Sequence, residues 1–366
     1  MSQPTESVLM NLLPYRPMAT GLSRYVQRLL SAWPEQQLPL QLRVNSCGKG
    51  ELSRDRTLPT LQRSGWMRTL QGMSLTQHGI PVKTLLRDRN PGCIYSPYTD
   101  YLWGLETTPQ IITCHDLTPL HYPNSKRAYW HAKLWMPKHL NRATRVVAIS
   151  RSVADQLINE GMPSERITVI HNGIETESNP IKIPSSHDCI VLARHSTNKN
   201  VGLAIAGFKE VLRRAPEWPG RLIVIGRNDR CTKDLHKQCR EFNLHHKITW
   251  IAELSEQQLA QQLRRALCLI SASLMEGFDY PLLEAQALGL PTLASDIPVH
   301  REVNGEISLI FKLDDRGMSL AHSILWLGQD RTLWTNLSKA GLCNANKHTI
   351  KHQINEVINL IEEVSR

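Results

Sequence analysis

The chain has 366 residues, 41% hydrophobic and 21% charged, a globular composition that exceeds what one hydrophobic core usually supports, so two domains are expected. No apolar run is long enough to span a bilayer, and the opening Met1-Ser-Gln-Pro-Thr-Glu-Ser lacks the basic-then-apolar order of a secretory signal, so a cytoplasmic location is expected. The net charge is +10, with 20 Lys+Arg against 13 Asp+Glu in residues 1–180, and the absence of zinc-finger, leucine-zipper and RNP patterns turns the expected partner from nucleic acid to an anionic membrane face or an anionic, lipid-linked substrate.

In chain order, Val8–Leu13 reads as a first strand and Leu22–Trp33 as a helix following a loop at Thr20-Gly21. Arg54, Arg56, Arg63, Arg68 and Lys83 interleave with Leu61, Trp66, Met67 and Leu70, which suits either a basic segment at a membrane surface or a solvated helix with one buried face. Gln110–His115 and Arg145–Ile149 read as later strands, with a helix over Ser152–Glu160, and the first half closes near Ile174. Glu175–Asp188, with Pro180, Pro184, Ser185 and Ser186, has the composition of a linker. Strands restart at Cys189–Ala193 and continue at Arg221–Gly226, Ile248–Ile251, Ala266–Ile270 and Leu309–Phe311. Ile354, Val357, Ile358 and Ile361 recur at helical spacing, so the last segment needs an apolar surface to cover. Short strands alternating with amphipathic helices predict an α/β protein built on parallel sheets. The eight cysteines lack C-x-x-C pairs, the pattern of reduced thiols rather than zinc ligands, and Cys114 and Cys268 fall in expected core strands.

The most informative stretch runs from Ser273 to Gly289. It places Glu276 in a loop after an apolar strand and Glu284 on the helix that follows, with Pro281 suited to that helix's first turn. A strand that delivers a loop to a helix N-terminus can hold phosphate on backbone N–H groups, and flanking carboxylates can accept from hydroxyls. Phosphate beside polyol suggests a nucleotide sugar. Arg194 and Lys199 follow the first strand of the second half, where two cations suit a diphosphate. His115-Asp116 ends a strand of the first half, and Gly21 precedes its first helix.

Glu276-Gly-Phe-Asp-Tyr-Pro-Leu-Leu-Glu284, continued by Leu290–Glu302, resembles the E-x7-E signature of retaining glycosyltransferase family 4, with mannosyltransferase-like members. The resemblance implies the GT-B fold: α/β, two Rossmann-like domains with a cleft between them and a C-terminal helix crossing back. It implies an acceptor-binding domain over 1–178, a nucleotide-sugar-binding domain over 188–348, and a terminal helix over 349–366 on the first domain. Arg194 and Lys199 would grip the donor diphosphate, and Glu276 and Glu284 would contact sugar and ribose hydroxyls. Backbone N–H groups of Gly277, Phe278 and Asp279 would face the sugar, and those of Leu282 and Leu283 a phosphate. His115 would position the sugar, with Asp116 suited to orienting its ring, and Gly21 would let the diphosphate approach the backbone.

The family commonly has Gly where this chain has Asp279, a carboxylate that would repel diphosphate unless it points away or caps the helix. The implied reaction is hexosyl transfer from a nucleotide sugar, GDP-mannose by analogy, to a hydroxyl of a glycan or lipid-linked oligosaccharide. No D-x-D metal motif stands in a suitable loop, so no metal and no further cofactor are expected. A non-catalytic nucleotide-sugar-binding subunit and a GT-B nucleotide-sugar epimerase are the alternatives.

Overall fold

The computed structural model describes residues 8–15, 21–44, 50–54, 56, 84, 86, 89–176 and 184–366. Most of the basic stretch from 53 to 90, including Arg63 and Arg68, lies outside the described residues, as does Thr20. The chain forms two compact units, Met1–Glu175 with Thr349–Arg366, and Thr176–His348.

The first unit holds strands β1 (Leu9–Asn11), β2 (Leu40–Val44), β3 (Gly50–Ser53), β4 (Ile94–Ser96), β5 (Gln110–Cys114), β6 (Arg145–Ala148) and β7 (Ile167–Val169). Their order is β3-β2-β1-β4-β5-β6-β7, parallel throughout except that β3 runs antiparallel to β2. Side-chain alternation assigns the faces: Leu9, Leu42 and Ile94 join one core cluster, while Met10, Tyr95, Ile111 and Val147 join the other. That second face is covered by two helices. Gly21–Ala32 supplies Tyr25, Val26, Leu29 and Leu30, and the terminal helix Ile350–Ser365 supplies Ile354, Val357, Leu360 and Ile361.

The periodic apolar stripe at the chain's end therefore covers the first unit's sheet. Thr349 caps this helix by accepting from the His352 amide, Ile350 N donates to Ile174 O at 2.9 Å, and Gly173 N donates to Gln353 Oε1 at 2.7 Å. A Cβ on Gly173 would stand 2.4 Å from Thr349 O, so this junction admits only glycine.

The second unit holds β8 (Cys189–Leu192), β9 (Leu222–Ile225), β10 (Ile248–Ile251), β11 (Cys268–Ser271), β12 (Thr292–Ser295) and β13 (Leu309–Phe311), ordered β10-β9-β8-β11-β12-β13 and all parallel. Helices cover both faces. Val201–Arg214 and Met318–Gln329 lie on the side of Cys189 and Val191, and Glu256–Arg265 and Tyr280–Ala287 on the side of Ile190. This is the doubly wound order, in which the strand order reverses between β8 and β11 and opens a crevice at their C-terminal ends.

Gly226, just after β9, lets the neighbouring strand end approach: its N–H donates to Ile251 O at 2.8 Å, and a Cβ there would lie 1.9 Å from Ala193 O. Gly226→Ala is expected to cost about 1–3 kcal/mol by forcing β8 and β9 apart next to Arg194, read as a lower midpoint in thermal unfolding.

Candidate active site

The switch point of the second sheet gathers the two loops that the sequence singled out. The loop after β8 runs from Ala193 to Asn200 and the loop after β11 from Ala272 to Asp279. Asn198 stitches them: its carbonyl accepts from Leu274 N at 2.7 Å, its Nδ2 donates to Met275 O at 3.5 Å, and Ser196 Oγ donates to its Oδ1 at 2.8 Å. Held this way, Lys199 Nζ lies 2.8 Å from Glu276 Oε1 and 3.4 Å from Asp279 Oδ1. One ammonium thus joins residues from both sides of the switch point.

Asp279 points inward. Its side chain is 1% exposed, Ser271 Oγ donates to Oδ2, and His300 Nε2 lies 3.0 Å from the same oxygen. His300, fully buried, has Nδ1 2.9 Å from Ser295 O and 3.2 Å from Ser295 Oγ, so its ring bridges Asp279 to the end of β12. Asp279 therefore sits between Lys199 and the His300 ring and does not cap the helix Tyr280–Ala287, where its side chain makes no capping bond. Its backbone is left-handed, φ 66°, a conformation that Asp tolerates better than most residues.

Burial shapes the titration of all three. Burial pushes the Glu276 carboxyl above its usual range, partly offset by the Lys199 charge and reinforced by Asp279. Burial also opposes charge on Asp279, but Lys199 and the hydrogen bond and charge of His300 outweigh it and hold the carboxyl below its usual range. Lys199 follows suit: burial works against the ammonium, and the two carboxylates more than compensate, raising it.

Arg194 is exposed beside these loops and pairs through Nε with Asp229 Oδ2 at 3.2 Å, leaving its two terminal nitrogens for an anion. Gly277 and Phe278 are buried in the turn, with the Phe278 ring edge-on to Tyr280. Glu284 is half-buried one turn into the helix. The Leu282 amide, expected to face a phosphate, donates to Asp279 O at 3.1 Å and closes the first helical turn, and the side chains of Leu282 and Leu283 are core residues.

In the first unit His115 follows β5, with Nε2 2.9 Å from Pro97 O and its ring edge-on to Tyr25 at 4.6 Å. Donation to the carbonyl fixes the tautomer, so a neutral ring presents Nδ1 as an acceptor. Burial lowers the pKa of His115, the Pro97 hydrogen bond and Asp116 opposing it, which favours that neutral form. Asp116 does not orient the ring, contrary to expectation: its Oδ1 accepts from Thr118 N at 2.9 Å, because the chain turns there into the short helix Thr118–His121. Gly21 opens the helix Gly21–Ala32, and a Cβ there would meet nothing within 4 Å among the described residues. Among the described residues no cluster of three or more His, Cys, Asp or Glu is placed to hold a metal ion.

Two family models cover residues 19–342 of the chain: Glycosyltransferase Family 4 over 19–178 and Glycosyl transferases group 1 over 174–342. The chain belongs to the family 4, group 1 glycosyltransferases. The chain is 28% identical over 210 residues to the O-antigen chain mannosyltransferase of Salmonella typhimurium, covering 56% of this chain and 57% of that protein. It is 29% identical over 198 residues to the GDP-mannose:cellobiosyl-diphosphopolyprenol alpha-mannosyltransferase of Xanthomonas oryzae, covering 53% and 51%. The matches thus span little more than half the length of these curated relatives.

In fold it is similar to Anabaena HepE bound to UDP and glucose, with TM-score 0.69 at 16% identity over 97% of this chain and 99% of that one. It is also similar to the lipopolysaccharide outer core galactosyltransferase WaaB, with TM-score 0.67 at 13% identity over 97% and 99%. Both of its units therefore have the sheets of a GT-B enzyme.

Sequence reasoning missed Asn198, Ser271 and His300 as members of the site. His300 stands in the Leu290–Glu302 stretch that carried the resemblance, but nothing local marks it as the partner of Asp279.

Proposed function

We propose that this glycosyltransferase moves a mannosyl group from GDP-mannose to a hydroxyl of a lipid-linked oligosaccharide or growing cell-surface polysaccharide, with retention of anomeric configuration. The observation that carries the reading is the Lys199 ammonium held between Glu276 and Asp279 at the sheet's switch point. A diphosphate arriving there meets Lys199 and the free end of the Arg194 guanidinium, and Glu276, released from Lys199, accepts from sugar hydroxyls. Glu284 receives the ribose hydroxyls. The backbone at Gly277 and Phe278 faces the sugar, Gly21 admits the diphosphate, and His115 accepts from a sugar hydroxyl at Nδ1.

As the sugar–phosphate bond breaks, the leaving diphosphate gains negative charge that both cations stabilise. The acceptor hydroxyl attacks from the same face and loses its proton to the leaving phosphate oxygen, so no side-chain base is needed. The names of the relatives support mannosyl transfer and a polyprenol-linked acceptor. In this reading the first unit receives the acceptor, and the protein works at the inner face of the cytoplasmic membrane as a peripheral enzyme, without metal or other cofactor.

The test is turnover with a panel of GDP- and UDP-sugars and a polyprenyl-diphosphate oligosaccharide, with product linkage read by NMR. GDP-mannose consumption yielding an α-linked product, undiminished by EDTA, is expected. A β-linked product, or donor binding with no transfer, would replace this reading.

A further inference from the structure

The helical segment after β5, nearly continuous through Trp135, is free of acidic side chains: between Asp116 and Asp155 the chain holds neither Asp nor Glu. Its two helices are Lys126–Leu134, with Ala132 buried, and Met136–Arg142, with Met136, His139 and Leu140 buried. Lys126, Trp130 and Leu134 follow at intervals of four on the first helix and Lys138 and Arg142 on the second, and all five are exposed. Trp130 is 53% and Leu134 51% exposed, the two most exposed large apolar side chains among the described residues.

Cations surround these two tips. Lys133 Nζ lies 5.5 Å from the Tyr129 ring centre and 5.9 Å from that of Trp130, and Lys138 Nζ lies 4.5 Å from the Trp135 ring centre. Among the described residues no carboxylate pairs with Lys126, Lys133 or Lys138, so their charge is turned to solvent.

We propose that this face docks the protein on an anionic phospholipid surface. Trp and Leu side by side at the tip of a basic helix match the composition of segments that lie in a membrane interface, the apolar tips entering the headgroup boundary while the amines meet phosphate. The absence of carboxylates from these helices lowers the repulsion that such a surface would otherwise meet. A single-stranded nucleic acid would call for a row of stacking rings along a groove, and here one tryptophan ring stands exposed beside an aliphatic tip. The inference deepens the lipid-linked acceptor reading but rests on it only for its purpose, because docking is measured without donor or acceptor.

The experiment is sedimentation of the full chain with phosphatidylcholine vesicles and with vesicles that also contain phosphatidylglycerol, at two salt concentrations. Two double variants are compared, Lys133→Glu with Lys138→Glu and Trp130→Ser with Leu134→Ser. All four side chains are exposed, so thermal midpoints should match that of the unchanged chain and serve as the folding control. Binding only to phosphatidylglycerol vesicles, weakened by salt and reduced about tenfold or more by each variant, is expected. Equal binding to both vesicle types, variants that sediment like the unchanged chain, or binding of single-stranded RNA in place of vesicles would each overturn the proposal. Loss of docking with retained turnover on a detergent-solubilised acceptor would separate this surface from the transfer chemistry.

Discussion

Replacing Glu276 by Gln is expected to lower kcat about 10²–10³-fold while leaving the second unit's unfolding midpoint unchanged or higher. The catalytic figure is the scale for losing one preorganised polar contact in a shielded site. The stability direction follows from the titration. A carboxyl whose folded value is raised contributes stability below its unfolded value near about 4.3, and that contribution is lost as pH rises through the folded value. Burial raises Glu276, so at neutral pH its charge is a cost to the fold, which the neutral amide removes. A residue that burdens the fold at working pH is one expected to serve function.

Lys199→Ala should behave oppositely in stability, because it strips the ammonium from between Glu276 and Asp279 and leaves two carboxylates facing each other. The expected loss is about 3 kcal/mol, the low end for breaking a buried pair because a fifth of the Lys199 side chain reaches solvent. Turnover should fall by a similar 10²–10³-fold. Thermal unfolding and steady-state transfer on the same preparations check both, and a Glu276→Gln chain that melts early beside a Lys199→Ala chain that does not would contradict the ordering.

What was readable beforehand depended on how local the signal is. Leu269 and Ile270 before Glu276, and Pro281 after it, define strand, loop and helix within twenty residues, so the turn could be placed from its own neighbours. Lys199 and Glu276 could each be suspected, but their ion pair depends on β8 and β11 being adjacent, and strand order is a property of the whole sheet. Three-residue strands such as β4 are too short to show an alternation, and β3 pairs antiparallel at an edge where helical crossovers give no cue. A carboxylate beside a histidine reads as its partner, whereas the backbone turn at Thr118 claims Asp116 first. Asp279 looked like a charge in the wrong place because its environment, His300 and Ser271, lies on other elements.

Asp279→Ala is expected to be the most destabilising of the site substitutions. It removes the acceptor of His300 and Ser271 and one of the two carboxylates on Lys199, and it puts a β-carbon with no polar compensation at φ 66°. Breaking such a buried arrangement costs about 3–5 kcal/mol, and in a unit of this size each kcal/mol lowers the midpoint by about 2–4 °C. Asp279→Gly separates the two contributions. Glycine adopts the left-handed backbone freely, so the difference between the Gly and Ala variants, about 1 kcal/mol, reports the backbone, and the loss common to both reports the charges.

The pH dependence supplies an independent check. Asp279 is held below its usual range, burial being outweighed by Lys199 and His300, so it contributes stability above its unfolded value near about 3.9, and that contribution is lost as pH falls toward the folded value. The unchanged chain should therefore lose stability progressively below about pH 4, and the Gly variant should show a shallower acid limb. Equal acid limbs in the two chains would mean that Asp279 is not the charge that locks Lys199 and His300 to the turn.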